Sequence, residues 1–253
     1  MDYTLLHEDA NSTNIYRILD DISACIQDIK NRLKIMGFNE EELEIAIGGG
    51  SAGGHLSLLY GFLVNDPPLP VKFIIDAIGP VNLETDDFYV IEKDEDTLPN
   101  IDPDTVNQAI QSKTYNKPMV TDDYILRFLN LFIGNKYTKE ELQGMLKDNK
   151  IDKQNAKYKE LFEKAKYGFP INWMKDKIVP ILALYGGKDA LIGFMQYARL
   201  KEALEKENPI ELVYSRYGGH GLSEFEHPEG IIAAKDFHYF MLKFCEDYFR
   251  KKS

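Results

Sequence analysis

Leu43-Glu44-Ile45-Ala46-Ile47-Gly48-Gly49-Gly50-Ser51-Ala52-Gly53-Gly54-His55-Leu56 begins as a short apolar strand, breaks into glycines around one serine, and resumes as a helix. The spacing Gly49-x-Ser51-x-Gly53 is the G-x-S-x-G pattern of a nucleophile elbow, in which a serine on a strained strand-to-helix turn holds its hydroxyl above a sheet. Glycine is called for on both sides because the turn is too tight for side chains and the serine takes unfavourable backbone angles. The apolar strand is expected over Leu43 to Ile47. The following helix, Leu56 to Phe62, aims its N-terminal amides at the serine, where negative charge would develop.

The same letters fit two rivals. Gly48-x-Gly50-x-x-Gly53 is also a dinucleotide fingerprint between strand and helix, and Asp76 closes the next strand, Val71 to Ile75, at roughly the 20-residue offset of a ribose ligand. The other rival is a glycine-rich turn without chemistry. Downstream residues favour the elbow. Val179 to Tyr185 is an apolar strand that delivers Asp189 through Gly186-Gly187-Lys188. A helix from Phe194 to Lys206 and a strand from Ile210 to Tyr214 follow, ending in Tyr217-Gly218-Gly219-His220-Gly221-Leu222. Ser51, Asp189 and His220 each fall just past the C-terminal end of a strand, the edge of an open α/β sheet where sites form. A nucleotide-binding oxidoreductase leaves Asp189 and His220 unexplained.

The chain order Ser51, Asp189, His220 is that of the α/β-hydrolases rather than of the chymotrypsin or subtilisin folds. Ser51 to His55, the Asp-x-x-Gly-Pro run Asp76 to Pro80, the Tyr-Gly-Gly-Lys-Asp turn and the Gly-His-Gly-Leu turn together resemble esterases of the hormone-sensitive-lipase-like and carboxylesterase group. The resemblance covers nearly the whole chain apart from its middle, and departs at Gly50, where many such enzymes carry a charged or larger residue. It implies an α/β-hydrolase fold: one α/β domain over residues 1–253, a mostly parallel sheet with helices on both faces, and residues 83–173 as a helical cap. It also implies a serine hydrolase of small carboxylic esters with Ser51 as nucleophile, His220 as base, Asp189 as orienter and the Ala52 amide as one oxyanion donor. No cofactor or metal is called for.

Two segments carry further expectations. Met1 to Leu6 resembles the family's fourth strand, followed by a helix with Ile15, Ile18, Leu19, Ile22, Ile26, Ile29 and Leu33 at helical spacing and a cap from Asn11 to Asn14. No His-Gly-Gly loop, which in this family completes the oxyanion hole, precedes the elbow, so the chain reads as starting partway through the fold. The strand Leu43 to Ile47 would then present an edge open to a second copy of the chain or to the N-terminal residues. This leaves a second reading: an α/β-hydrolase-fold binding protein without catalysis. In the middle, Thr121 to Gly134 reads as a helix with Tyr124, Ile125, Phe128, Leu129 and Phe132 on one face, and Thr138 to Leu146 opens with a capping box. Phe88, Tyr89, Tyr124 and Phe128 are the candidate acyl-pocket residues; docking of the insertion by these aromatics is the alternative.

Composition bounds the rest. At 253 residues the chain can bury one substantial core. A net charge of −11 and no concentrated basic stretch exclude a phosphate-backbone partner. Cys25 and Cys245 offer neither a disulfide framework nor a metal cluster. No apolar run approaches a membrane span, and Met1-Asp2-Tyr3 begins no signal peptide; the expected location is cytoplasmic unless a preceding segment carried a signal. Among the other histidines, His55 is expected to pack beneath the elbow, while His7, His227 and His238 are read as loop, alternative base and helix surface or core. Asp86-Asp87 and Asp122-Asp123 read as solvated face or helix caps. Peptidase, thioesterase and deacetylase chemistry share the triad and stay open.

Overall fold

A computed structural model of the chain describes residues 6, 13–84, 88, 90–91, 115–116, 120–175, 177–187, 189–193, 195–204, 207–215, 218–221, 239 and 241–249. The chain divides into two compact units: Met1–Ile45, Val64–Pro70 and Val120–Phe169 form one, and Ala46–Leu63, Val71–Met119 and Pro170–Ser253 the other.

The second unit holds the sheet. β1 (Ile45–Gly50) leads into α2 (Ala52–Leu63) and β2 (Val71–Ala77); the short antiparallel pair β3 (Val90–Ile91) and β4 (Tyr115–Asn116) follows, and later come β7 (Ile181–Gly186), α6 (Met195–Ala203) and β8 (Ile210–Ser215). The order is β1-β2-β7-β8. β2 runs parallel to β7 in a register that sets Asp76 beside Ala183, and β7 runs parallel to β8 with Tyr185 beside Tyr214. Parallel strands need crossovers, and the helices between these strands supply them. Every residue of β7 is buried, as a central strand covered on both faces must be. Alternation along β2 shows the two faces: Phe73 packs in a cluster with Leu182, Leu184 and Phe244, edge-on to the Phe244 ring at 5.1 Å, while Ile74 lies against Gly61 of α2. Residues 241–249 are helical and cover the Phe73 face. A buried large aromatic or aliphatic side chain contributes about 1.5–3 kcal/mol.

β1 runs from Ile45 to Gly50 instead of Leu43 to Ile47, and α2 begins at Ala52 instead of Leu56. The glycines do not break the strand early because Gly48 to Gly50 remain extended beside β2; the turn is compressed into Ser51 alone. Among the described residues β1 is an edge strand. The strand expected over Met1 to Leu6 lies outside the described residues except for Leu6, which is half-buried.

The first unit holds α1 (Ile15–Ile35), whose Asn14 side chain accepts the Arg17 amide at the N-cap. The stripe Ile15, Ile18, Leu19, Ile22 and Ile26 is buried, but Ile29 is 41% exposed, so the buried stripe ends a turn earlier than the spacing implies. The unit also holds α3 (Asp122–Phe132), α4 (Lys139–Gln143), the hairpin β5 (Leu146–Lys147) and β6 (Lys150–Ile151), and α5 (Ala156–Ala165). Thr121 caps α3, and Thr138 with Glu141 closes a reciprocal capping box on α4. The hairpin turn Asp148-Asn149 has φ of +52° and +60°, the left-handed pair a two-residue turn demands and Asp and Asn tolerate. Asp122 is no solvated cap: it is buried and accepts the Ile151 amide at 2.7 Å and the Lys150 ammonium at 3.3 Å, fastening the hairpin to α3. Asp123 instead pairs with Arg127 on the helix surface. Asp86-Asp87, His7, His227 and His238 lie outside the described residues.

Candidate active site

Ser51 takes a φ of +55°, a left-handed conformation that costs a non-glycine residue about 1–3 kcal/mol and persists only where neighbours enforce it. Two contacts do so. The Ser51 amide donates to the Ala77 carbonyl at 2.8 Å, and the Ser51 carbonyl accepts the His55 amide at 3.0 Å, the first hydrogen bond of α2. The backbone must double back tightly: a Cβ on Gly49 would stand 2.6 Å from the Gly53 carbonyl carbon. The hydroxyl is thereby carried out of the strand and onto the start of a helix, where Ala52 is the first helical residue and exposed. Its N–H belongs to the four amides that a helix leaves without intrahelical partners.

Asp189 follows β7 and is buried, while the His220 side chain is 35% exposed. Asp189 Oδ1 accepts the amides of Leu191 and Ile192, each at 2.9 Å, which fixes the carboxylate. Its Oδ2 lies 2.9 Å from His220 Nδ1. A carboxylate only accepts, so Nδ1 carries the proton and Nε2 keeps a lone pair. That nitrogen lies 3.1 Å from Ser51 Oγ. The structure therefore brings Ser51, His220 and Asp189 into one hydrogen-bonded chain across 169 and 31 residues of sequence.

The loop beyond β2 is held against the elbow by buried polar groups, of which Gln196 alone is not singled out by the sequence. His55 is buried in α2, and its Nδ1 lies 2.7 Å from the Pro80 carbonyl; a carbonyl cannot donate, so this ring nitrogen bears hydrogen. Gln196 of α6 is fully buried. Its Oε1 accepts the amides of Val81 and Asn82 at 2.8 and 3.0 Å, and its Nε2 donates to the Asn82 carbonyl at 2.9 Å. Asp76, the residue of the ribose-ligand alternative, is fully buried and accepts the Gly79 amide at 2.8 Å. A ribose has no access to it. Burial pushes its carboxyl up to about 7, against the lowering effect of its polar contacts with Tyr185 and Gly79.

Of the four aromatic residues named for an acyl pocket, Phe88 is buried and Tyr89 lies outside the described residues. Tyr124 and Phe128 belong to the first unit, where their rings stack at 5.8 Å with Tyr124 largely exposed. Cys25 and Cys245 are half-buried free thiols. Among the described residues no group of three or more His, Cys, Asp or Glu could hold a metal ion, and no helix is long and apolar enough to cross a membrane.

The BD-FAE family model matches residues 10–204. Among solved structures, the chain is similar to a truncated carbohydrate esterase from gut microbiota, at 17% identity and a TM-score of 0.50, covering 87% of this chain and 66% of that one. It is similar to a bifunctional GH43-CE protein of Bacteroides eggerthii, at 14% identity and a TM-score of 0.53, covering 95% of this chain and 26% of that one. It is also similar to a thermophilic esterase of the planctomycete Thermogutta terrifontis with butyrate bound, at 15% identity and a TM-score of 0.51, covering 95% and 69%. The chain thus spans just under two thirds of the first of these proteins and about a quarter of the second. Identities this low show a shared fold. No curated protein matches the chain significantly.

Proposed function

The chain belongs to the BD-FAE family, an α/β-hydrolase-type family, and on that premise we propose that it is a serine hydrolase acting on small carboxylic esters. The observation that carries the reading is the hydrogen-bonded chain from Asp189 through His220 to Ser51, at 2.9 and 3.1 Å. Ser51 Oγ attacks the ester carbonyl carbon while its proton passes to His220 Nε2. Asp189 holds the ring in the tautomer that can accept it and stabilises the imidazolium. The carbonyl oxygen becomes an oxyanion, to which the exposed Ala52 amide at the helix N-terminus donates. Collapse breaks the ester C–O bond, the alcohol leaves with the proton from His220, and an acyl-enzyme remains on Ser51. Water then attacks that acyl group with His220 as base and releases the acid.

The solved structures of similar fold include a carbohydrate esterase and an esterase with butyrate bound, which supports ester hydrolysis as the reaction class. The test is labelling of the chain by a fluorophosphonate probe, which reports serine nucleophilicity without needing the right substrate, beside hydrolysis of a short-chain nitrophenyl ester. Labelling that disappears in Ser51→Ala supports the reading. An unlabelled, folded chain overturns it in favour of a binding protein on the same fold.

A further inference from the structure

Two short oxygen–oxygen contacts meet at one phenol beneath the elbow. The Tyr185 hydroxyl lies 2.9 Å from Asp76 Oδ2 and 2.8 Å from the Gly79 carbonyl oxygen. Each contact at that distance needs a hydrogen between its oxygens, and a tyrosine owns one. The Gly79 carbonyl has none to give. The second hydrogen must therefore come from Asp76.

We propose that Asp76 is held as the neutral acid and is a positioning residue of the elbow, donating to Tyr185, which in turn donates to the Gly79 carbonyl. The other carboxyl oxygen, Oδ1, accepts the Gly79 amide at 2.8 Å, so both polar groups of one peptide residue are tied to the pair. The clamp bears on the nucleophile through two short paths. Ala77, next in β2, accepts the Ser51 amide. Gly79 presses on the first turn of α2 so closely that a Cβ there would stand 2.6 Å from the His55 nitrogen, and a Cβ on Gly54 would stand 2.5 Å from Asp76 Oδ1. The catalytic consequence rests on the serine-hydrolase reading above; the protonation state does not.

The surroundings agree with a neutral acid. Tyr185 of β7 faces Asp76, and burial pushes its hydroxyl far above its ordinary value; the first turn of α2 carries His55, bonded through Nδ1 to Pro80. Asp189, beyond β7, adds negative charge near Tyr185, and Tyr197 of α6 packs its ring 5.7 Å from that phenol. The polar groups that act on the Asp76 carboxyl are the Tyr185 hydroxyl and the Gly79 amide, and neither is a cation. The folded chain keeps the Asp76 proton to about pH 7, whereas the unfolded chain releases it near the ordinary 3.8. Stability from this group is full below the unfolded value and lost as pH rises through the folded one.

The test compares the full chain with Asp76→Asn, because the Asn amide can donate to Tyr185 and accept from Gly79 as the neutral acid does. Denaturant unfolding from about pH 5 to about pH 8 is expected to show the variant already the more stable, by about tenfold in the unfolding constant, at the acid end, because the unfolded chain has released the proton by then. The ratio of the two unfolding constants should then change about tenfold per pH unit in favour of the variant, levelling off near the folded value. The infrared spectrum of folded wild type at about pH 6 should carry a protonated-carboxyl band that Asp76→Asn lacks. The variant's fluorophosphonate labelling should match wild type at the acid end and exceed it at the alkaline end. A variant that unfolds or is clearly weaker at about pH 5 overturns the proposal, as do a constant ratio of unfolding constants or identical infrared spectra. If neither chain is labelled at any pH, the serine-hydrolase reading fails, while unfolding and infrared still decide the state of Asp76.

Discussion

Ser51 and Ala77 sit on adjacent strand ends and share a 2.8 Å hydrogen bond from the serine amide to the alanine carbonyl. The amide of the candidate nucleophile is therefore spent on holding the turn, which leaves the following amide, at Ala52, as the candidate oxyanion donor. The left-handed backbone of Ser51 is stable only because the strand beside it receives this bond and the helix after it receives the Ser51 carbonyl.

The glycines of the elbow should differ sharply in tolerance. A Cβ on Gly49 meets the backbone of Gly53 at 2.6 Å, whereas on Gly50 the nearest atom, the Ala77 carbonyl oxygen, is 3.9 Å away. Backbone cannot swing aside as a side chain can. Gly49→Ala should destabilise by about 1–3 kcal/mol or more, read as a lower denaturant midpoint, while Gly50→Ala should unfold close to wild type. Equal midpoints would mean that the turn is looser than described.

Asp189 separates two roles that one substitution would blur. In Asp189→Asn the oxygen stays with the amides of Leu191 and Ile192, which leaves the amide NH2 facing His220 Nδ1. That turns the imidazole into the wrong tautomer, with hydrogen on Nε2 pointing at Ser51. Ester turnover should fall about 10⁴-fold with stability nearly unchanged. Asp189→Ala strands both amides as well, that of Ile192 in a buried position, adding about 1–3 kcal/mol of destabilisation. Turnover measured beside thermal unfolding checks both; a fall in stability for Asn equal to that for Ala would contradict the assignment of the two oxygens.

The sheet and the placement of Ser51, Asp189 and His220 just past its strand ends were legible because strand-to-turn transitions are written in strong local signals: apolar runs ending in Gly-Gly before Asp189 and His220, and the glycine-flanked Ser51. Boundaries were less so, since Gly48 to Gly50 have weak strand propensity and are kept extended by pairing with β2, a tertiary effect. Asp76 and Tyr185 stood inside quoted motifs, yet their mutual hydrogen bond spans 109 residues and no spacing rule reaches that far. Gln196 carried no signal at all. A lone glutamine in a helix reads as solvent-facing, and only burial against the loop after β2 shows otherwise. The same holds for Asp122, whose capping position was legible and whose partner, the β5–β6 hairpin, was not.

Gln196 supplies the last prediction because three hydrogen bonds from its side chain run to backbone. Its side chain, without measurable exposure, satisfies the amides of Val81 and Asn82 and the Asn82 carbonyl. These groups lie in a loop that has left β2 and so lost its ladder partners. Leucine at this position would conserve volume while deleting all three bonds. Unsatisfied buried polar groups cost about 1–3 kcal/mol each before relaxation, so Gln196→Leu should cost about 3 kcal/mol despite its gain in apolar surface. Gln196→Glu keeps the acceptor for Val81 and Asn82 but sets a second acceptor against the Asn82 carbonyl, and should recover stability only as pH falls and the new carboxyl takes up a proton to donate. Urea unfolding of both variants at neutral and at mildly acid pH checks this. A glutamate variant whose deficit does not shrink on acidification would show that the donor half of the clamp contributes nothing.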